Sequence, residues 1–249
     1  MLFRAAVVSL AALALGLSAC GKSTDATGAP DASSTPIAKV AAPAGQAWAE
    51  KVTVTPEGGY LLGNPAAPIK LVEYGALSCS HCADFSEAAF TKLRDDYIAS
   101  GRVSYELRLF MLNALDLPAA MLATCGTPES VIPLSEQFWG WQAEMFTNLQ
   151  TAGDARLQAA GALPPGQRFA AIANLAGMDT FFAERGIAAD QGQACLADAA
   201  KATALSEATQ KASTEKNVTG TPWFFINGSD VGTQTWATLE PMLQNAGAR

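Results

Sequence analysis

Residues 69–109, IKLVEYGALSCSHCADFSEAAFTKLRDDYIASGRVSYELRL, decide the fold. The segment opens on a short β-rich run, Ile69 to Tyr74. From Cys79 to Ser100 the pattern becomes helical. Phe85, Ala89, Leu93 and Tyr97 recur on one face, and Asp84, Glu87, Arg94 and Asp95 lie largely off it. Gly101 ends this helix. Val103, Tyr105, Leu107 and Leu109 then alternate with Ser104, Glu106 and Arg108, as in a strand. Strand, helix, strand is a βαβ unit, and Cys79-Ser80-His81-Cys82 sits where the first strand gives way to the helix.

Two cysteines at that place have a chemical reason to be there. The first caps a helix whose unpaired N–H groups and positive dipole end stabilise a thiolate. The second lies about one turn on, within disulfide reach, so the pair reads as a redox site. Haem attachment would need a histidine directly after the second cysteine, where Ala83 stands. A zinc site would need more Cys or His than Cys125, Cys195 and His81 supply. A purely structural disulfide closes so short a loop that little chain entropy is removed. His81 is the sole histidine. On such a helix its ring is expected close to Cys79, favouring the thiolate and hence the reduced form.

Outward from this segment, the 249 residues carry 16 Lys+Arg against 23 Asp+Glu, a net charge of −7. That acidity argues against a nucleic-acid partner, and 49% hydrophobic residues exclude a disordered chain. Arg4 followed by the apolar run Ala5–Leu17 reads as an export signal. The stretch Leu17-Ser18-Ala19-Cys20-Gly21 resembles the bacterial lipoprotein box, which implies a signal peptide over 1–19 and lipidation of Cys20. Residues 20–47, rich in Ala, Gly, Ser, Thr and Pro, read as a flexible tether. A weak first strand, Val52 to Tyr60, is broken by Pro56-Glu57-Gly58-Gly59. From about Leu117 to Ser213 the chain is helical and Ala-rich, with Phe138, Trp141 and Met145 as a core stripe. A strand returns at Trp223–Ile226, closed by the turn signal Asn227-Gly228, and a last helix covers about 235–245.

Glu73, the Cys79–Cys82 motif, the helical insert and Gly220-Thr221-Pro222-Trp223-Phe224-Phe225-Ile226-Asn227-Gly228 together resemble the DsbA-type thiol–disulfide oxidoreductases, over residues 48–247. The resemblance implies an α/β thioredoxin fold over 48–112 and 215–249, with a helical domain, 113–214, inserted after the third strand. It implies catalytic roles for Cys79, Cys82, His81 and Glu73, the last as a buried acid that relays the proton of Cys82. Thr221, Pro222 and Trp223 would bind substrate, with a cis bond before Pro222. A second acidic position of the family, just after the motif, is not clean here, because Ser86 precedes Glu87.

In an oxidising compartment Cys125 and Cys195 are expected to be bonded. Exchange of this kind needs no bound cofactor and no metal. The implied partners are unfolded or reduced exported proteins and a DsbB-like, quinone-linked membrane oxidase, with the protein acting as a monomer. The implied location is the periplasmic side of a bacterial membrane, lipid-anchored, the outer membrane favoured because Gly21 rather than Asp follows Cys20.

Overall fold

Apolar alternation places Val103–Leu109 at the heart of a sheet, because its residues are covered on both faces. In the computed structural model, residues 35–249 are described. The expected signal peptide, Cys20 and the first part of the tether lie outside the described residues. The strands are β1 (Val52–Val54), β2 (Tyr60–Gly63), β3 (Ile69–Gly75), β4 (Val103–Leu109), β5 (Trp223–Ile226) and β6 (Ser229–Gly232). They form one sheet in the order β1-β2-β4-β3-β5-β6. Only the central pair is parallel, β3 with β4, joined by helix α1 (Ser80–Lys92). A parallel pair needs such a crossover. β5 runs antiparallel beside β3, with Tyr74 opposite Trp223 and Glu73 opposite Phe224.

The expected broken strand at 52–60 is instead a hairpin, β1 and β2 paired antiparallel around the Pro56–Gly59 turn. Gly58 there has φ +80°, which explains why the break carries glycine. The helical insertion consequently follows the fourth strand in chain order, not the third. The long helix expected to Ser100 also changes character. After Lys92 the chain widens into a π-type turn over Leu93–Ile98, with Ala99 N–H donating to Arg94 O at 2.9 Å. The widening lets both Tyr97 and Ile98 enter the core.

The tether expected over 20–47 is not free to its end. Ile37 N–H donates to Gly247 O, Val40 N–H to Ser100 O, and the Trp48 indole to Val40 O, each at 2.8–2.9 Å. These bonds dock residues 37–48 on the sheet domain. Gly101, at φ +72°, is required there, since a Cβ would lie 2.2 Å from Val40 O.

Between β4 and β5 come α2 (Asp116–Ala123), α3 (Pro128–Ala152), α4 (Asp154–Gly161), α5 (Pro165–Ala176), α6 (Met178–Ala183), α7 (Ala189–Leu196) and α8 (Ala199–Lys216). Phe138, fully buried, packs against Trp141, Phe181 and Phe182 with ring centroids 5.2–5.5 Å apart. Cys125 and Cys195 are joined by a disulfide that ties the end of α2 to α7. The last helix, α9 (Trp236–Asn245), sets Trp236 against Phe85 of α1. At 25 residues, α3 is about 37 Å long at ~1.5 Å per residue. It packs along α1, so its middle reaches the cysteine pair.

Candidate active site

Cys79 is the N-cap of α1, with extended φ/ψ of −81° and 117°. Its sulfur accepts the Cys82 N–H at 3.3 Å, taking the place of the oxygen that Ser or Asp would offer. The Cys82 thiol and the main-chain N–H groups of residues 81 and 82 also favour negative charge on this sulfur. Together they outweigh partial burial and hold the Cys79 thiol down to about 6. Cys82 goes the other way. Burial and its hydrogen bond to Cys79, with the nearby Glu73 charge, push its thiol far above the ordinary range. Cys79 retains 5% exposure and Cys82 none, so only the first sulfur can meet a partner.

The second wall comes from the far end of the chain. Thr221 and Pro222 are joined by a cis peptide bond, and the Thr221 carbonyl accepts from the Cys79 thiol at 3.2 Å. The Thr221 hydroxyl is buried beside the sulfur and also favours its negative charge. Trp223, which follows Pro222 at the start of β5, donates its indole N–H to Asp230 Oδ1 of β6 at 2.8 Å.

Glu73 lies in the middle of β3 and is 1% exposed. The Tyr105 hydroxyl of β4 donates to its Oε2 at 2.9 Å, and its Oε1 has no partner among the described residues. Burial pushes its carboxyl up to about 8, against the opposing hydrogen bond from Tyr105. A carboxyl at that value can hold a proton or accept one near neutral pH.

His81, expected close to Cys79, lies on the open side of α1. Its side chain is 78% exposed, and its ring nitrogen lies 3.6 Å from Asp84, one turn along α1. Its backbone N–H, near the start of α1, favours negative charge on the Cys79 sulfur.

Several groups at the site come from the insertion, and the sequence reading did not find them. The Trp139 indole N–H donates to Ala76 O at 2.9 Å. The Gln142 amide donates to Leu77 O and Cys79 O at 2.7 and 3.1 Å. Asp116, 1% exposed, accepts from Ser78 N–H, Ser78 Oγ, Leu112 N–H and Asn113 N–H at 2.8–3.0 Å. These bonds fix the backbone of residues 76–79 from outside the sheet domain. A polar Gln142 beside the stripe of Phe138, Trp141 and Met145 is the one signal that could have flagged them.

A family model described as Thioredoxin matches residues 55–245. The crystal structure of a protein-disulfide isomerase from Novosphingobium aromaticivorans is 32% identical, covers 74% of this chain and 94% of its own, and superposes with a TM-score of 0.70. Alpha-DsbA1 of Wolbachia pipientis is 25% identical, with 78% and 92% coverage and a TM-score of 0.56. A chain of Rickettsia conorii named "Putative protein-disulfide oxidoreductase" is 24% identical over 196 residues, which are 75% of this chain but only 59% of that one. This chain thus spans little more than half the length of that curated relative.

Proposed function

This chain belongs to the thioredoxin family, with a DsbA-like arrangement of sheet and inserted helices, and on that premise we propose that it is a thiol–disulfide oxidoreductase acting on exported proteins. The observation that carries the reading is the Cys79 sulfur itself. It is the less buried member of the pair, its thiol is held down to about 6, and it lies against the Thr221 carbonyl before Pro222.

In the oxidising direction the Cys79–Cys82 disulfide is attacked by a substrate thiolate. The bond between residues 79 and 82 breaks, a mixed disulfide forms on Cys79, and Cys82 leaves with a proton that Glu73 is placed to supply. The second substrate thiolate then attacks the substrate sulfur of the mixed disulfide. The substrate keeps the new disulfide, and Cys79 leaves as a thiolate. Stabilising that leaving thiolate favours the oxidising direction. Once the Cys79 sulfur no longer donates to it, the Thr221 backbone offers an extended substrate a pairing edge, as in β-augmentation.

From the family resemblance and the export signal we assign reoxidation to a DsbB-like, quinone-linked membrane oxidase. On the same grounds the protein works as a monomer at the periplasmic side of a membrane, held there through lipidated Cys20. No helix among the described residues is long and apolar enough to cross a membrane.

The test is oxidation of a reduced two-cysteine peptide by the purified disulfide form. Stoichiometric oxidation, with Cys82→Ser accumulating a mixed disulfide on Cys79, is the expected result. Peptide oxidation undiminished in Cys79→Ser would overturn it. The name of the Novosphingobium relative favours isomerisation as the second reading. A glutathione titration separates the two directions. A potential near about −120 mV marks an oxidase, and one below roughly −250 mV a reductant.

A further inference from the structure

The chain passes from β3 into α1 through a turn, which Cys79 N–H closes on Ala76 O at 3.2 Å. The Gln142 amide of α3 donates to two carbonyls of that passage, Leu77 O at 2.7 Å and Cys79 O at 3.1 Å. A carboxamide nitrogen carries two hydrogens, so Gln142 commits both to it. The same Cys79 carbonyl accepts the Ala83 N–H at 3.2 Å, at the start of the ladder of α1. Gln142 thus grips the chain on both sides of Ser78, once inside the turn and once where the helix begins.

Trp139 and Asp116 bind the same stretch, but at Ala76 O and at the Ser78 N–H. Among the described donors of the insertion, Gln142 alone reaches residue 79. It is 4% exposed, on a helix whose neighbouring Phe138, Trp139 and Met145 are buried. Burying an amide there is costly unless its hydrogens are bonded. Methionine, of similar length, would fill the space without that cost, so the contribution of the amide is its two hydrogen bonds.

Those bonds restrain the backbone torsions of residues 78 and 79, and the torsions aim the sulfur. At φ −81° and ψ 117° Cys79 places its sulfur 3.3 Å from the Cys82 nitrogen and 3.2 Å from Thr221 O. Rotation there carries the sulfur off the helix N-terminus, whose stabilisation of negative charge falls away within a turn. The ionisable groups around the sulfur are Cys82 of α1 and Glu73 of β3. His81 and Asp84 of α1 are exposed, and Glu136 of α3 is bound to the Ser86 hydroxyl. Gln142 has no charge and acts on the sulfur through where the sulfur is held.

Resting on the exchange reading above, we propose that Gln142 is a positioning residue that clamps the Leu77 and Cys79 carbonyls and so holds the Cys79 sulfur against the N-terminus of α1. The insertion thereby tunes the redox pair through the backbone. Without the clamp the sulfur shares its time between the helix terminus and other rotations. Its thiol then ionises at higher pH, the reduced form is less favoured, and the disulfide is a weaker oxidant.

Gln142→Met and Gln142→Leu, neither with a donor, test this in the reduced full-length protein. Alkylation by iodoacetamide is followed from pH 4 to 9, and the peptide holding Cys79 is read by mass spectrometry. In both variants the midpoint rises by about one pH unit, so alkylation at pH 5 is about tenfold slower. At pH 7 the equilibrium constant for reduction of the disulfide by glutathione falls about fivefold. Met145→Ala separates positioning from mere loosening, since Met145 is fully buried on the same helix and has no donor to give the turn. It loses stability to urea, while its Cys79 midpoint stays within about 0.3 pH units of wild type. A midpoint inside that margin in either Gln142 variant overturns the proposal. So does a Met145→Ala shift as large as that of Gln142→Met. A wild-type midpoint at about 8.5 would instead overturn the exchange reading beneath it.

Discussion

The Cys79 sulfur and the Thr221 carbonyl meet at 3.2 Å across 142 positions of chain. One closes the N-terminus of α1, and the other ends the loop that enters β5. β5 pairs with β3, and β3 runs straight into α1, so the sheet register brings them together. While the thiol is neutral, its proton rests on that carbonyl. Once it ionises, the donors of α1 serve the sulfur and Thr221 becomes free to pair with a substrate backbone.

The thiolate is favoured by Cys82, by the Thr221 hydroxyl and by the N–H groups of the helix terminus. His81→Ala keeps the backbone N–H and should leave the ionisation midpoint of Cys79 within about half a pH unit, because exposed side-chain charges act weakly through solvent. Absorbance of the thiolate against pH checks this. A rise of a full unit or more would restore the ring to the mechanism.

Asp116 gathers four donors from two loops and leaves none of them to water. Asp116→Ala strands buried N–H groups and should destabilise the fold by about 3 kcal/mol or more. Urea unfolding measures that loss, and the alkylation rate of Cys79 should become less pH-selective in parallel. A loss under about 1 kcal/mol would mean the loops hold each other without it.

Glu73 makes stability depend on pH. Its carboxyl ordinarily titrates near 4.5 and is raised to about 8 in the folded protein. The native state thus binds the proton more tightly than the unfolded chain. The stabilisation is complete below about 4.5 and is lost as pH rises through about 8. Glu73→Gln should therefore be more stable than wild type at pH 9, by roughly 5 kcal/mol at most, and nearly equal to it at pH 4. An advantage independent of pH would contradict the buried acid.

The Cys125–Cys195 disulfide spans 70 positions of the insertion. Replacing both cysteines by alanine should cost about 4 kcal/mol in the entropic view of cross-links. The cost should appear in the denaturant midpoint while dithiol exchange persists in the folded fraction. Loss of exchange in fully folded protein would give this bond a part in the chemistry.

Much of the fold could be read from residues 69–109, because strand alternation and helical spacing change over cleanly at Cys79. The cysteine pair, Glu73 and the Thr221–Pro222 element all sit on the sheet or at its strand ends, where local pattern and family resemblance carry position. The helical insertion left no such trace of its role. Trp139 and Gln142 reach the site only because α3 packs along α1, and Asp116 only because its loop folds back on Ser78. Those are long-range contacts with no local period. The exposure of the His81 ring was not legible for a related reason. Its neighbourhood in sequence is the active site, but the direction of its side chain follows from helix phase, which a four-residue motif does not state. The docking of residues 37–48 was equally hidden, since it rests on main-chain hydrogen bonds that Ala- and Pro-rich composition does not advertise.

The most direct measurement is the pH dependence of Cys79 alkylation in the reduced protein, with Cys82 protected by its burial. A midpoint near 6 is the result the helix-capped sulfur predicts. A midpoint at about 8.5, that of an ordinary cysteine, would contradict the account at its root.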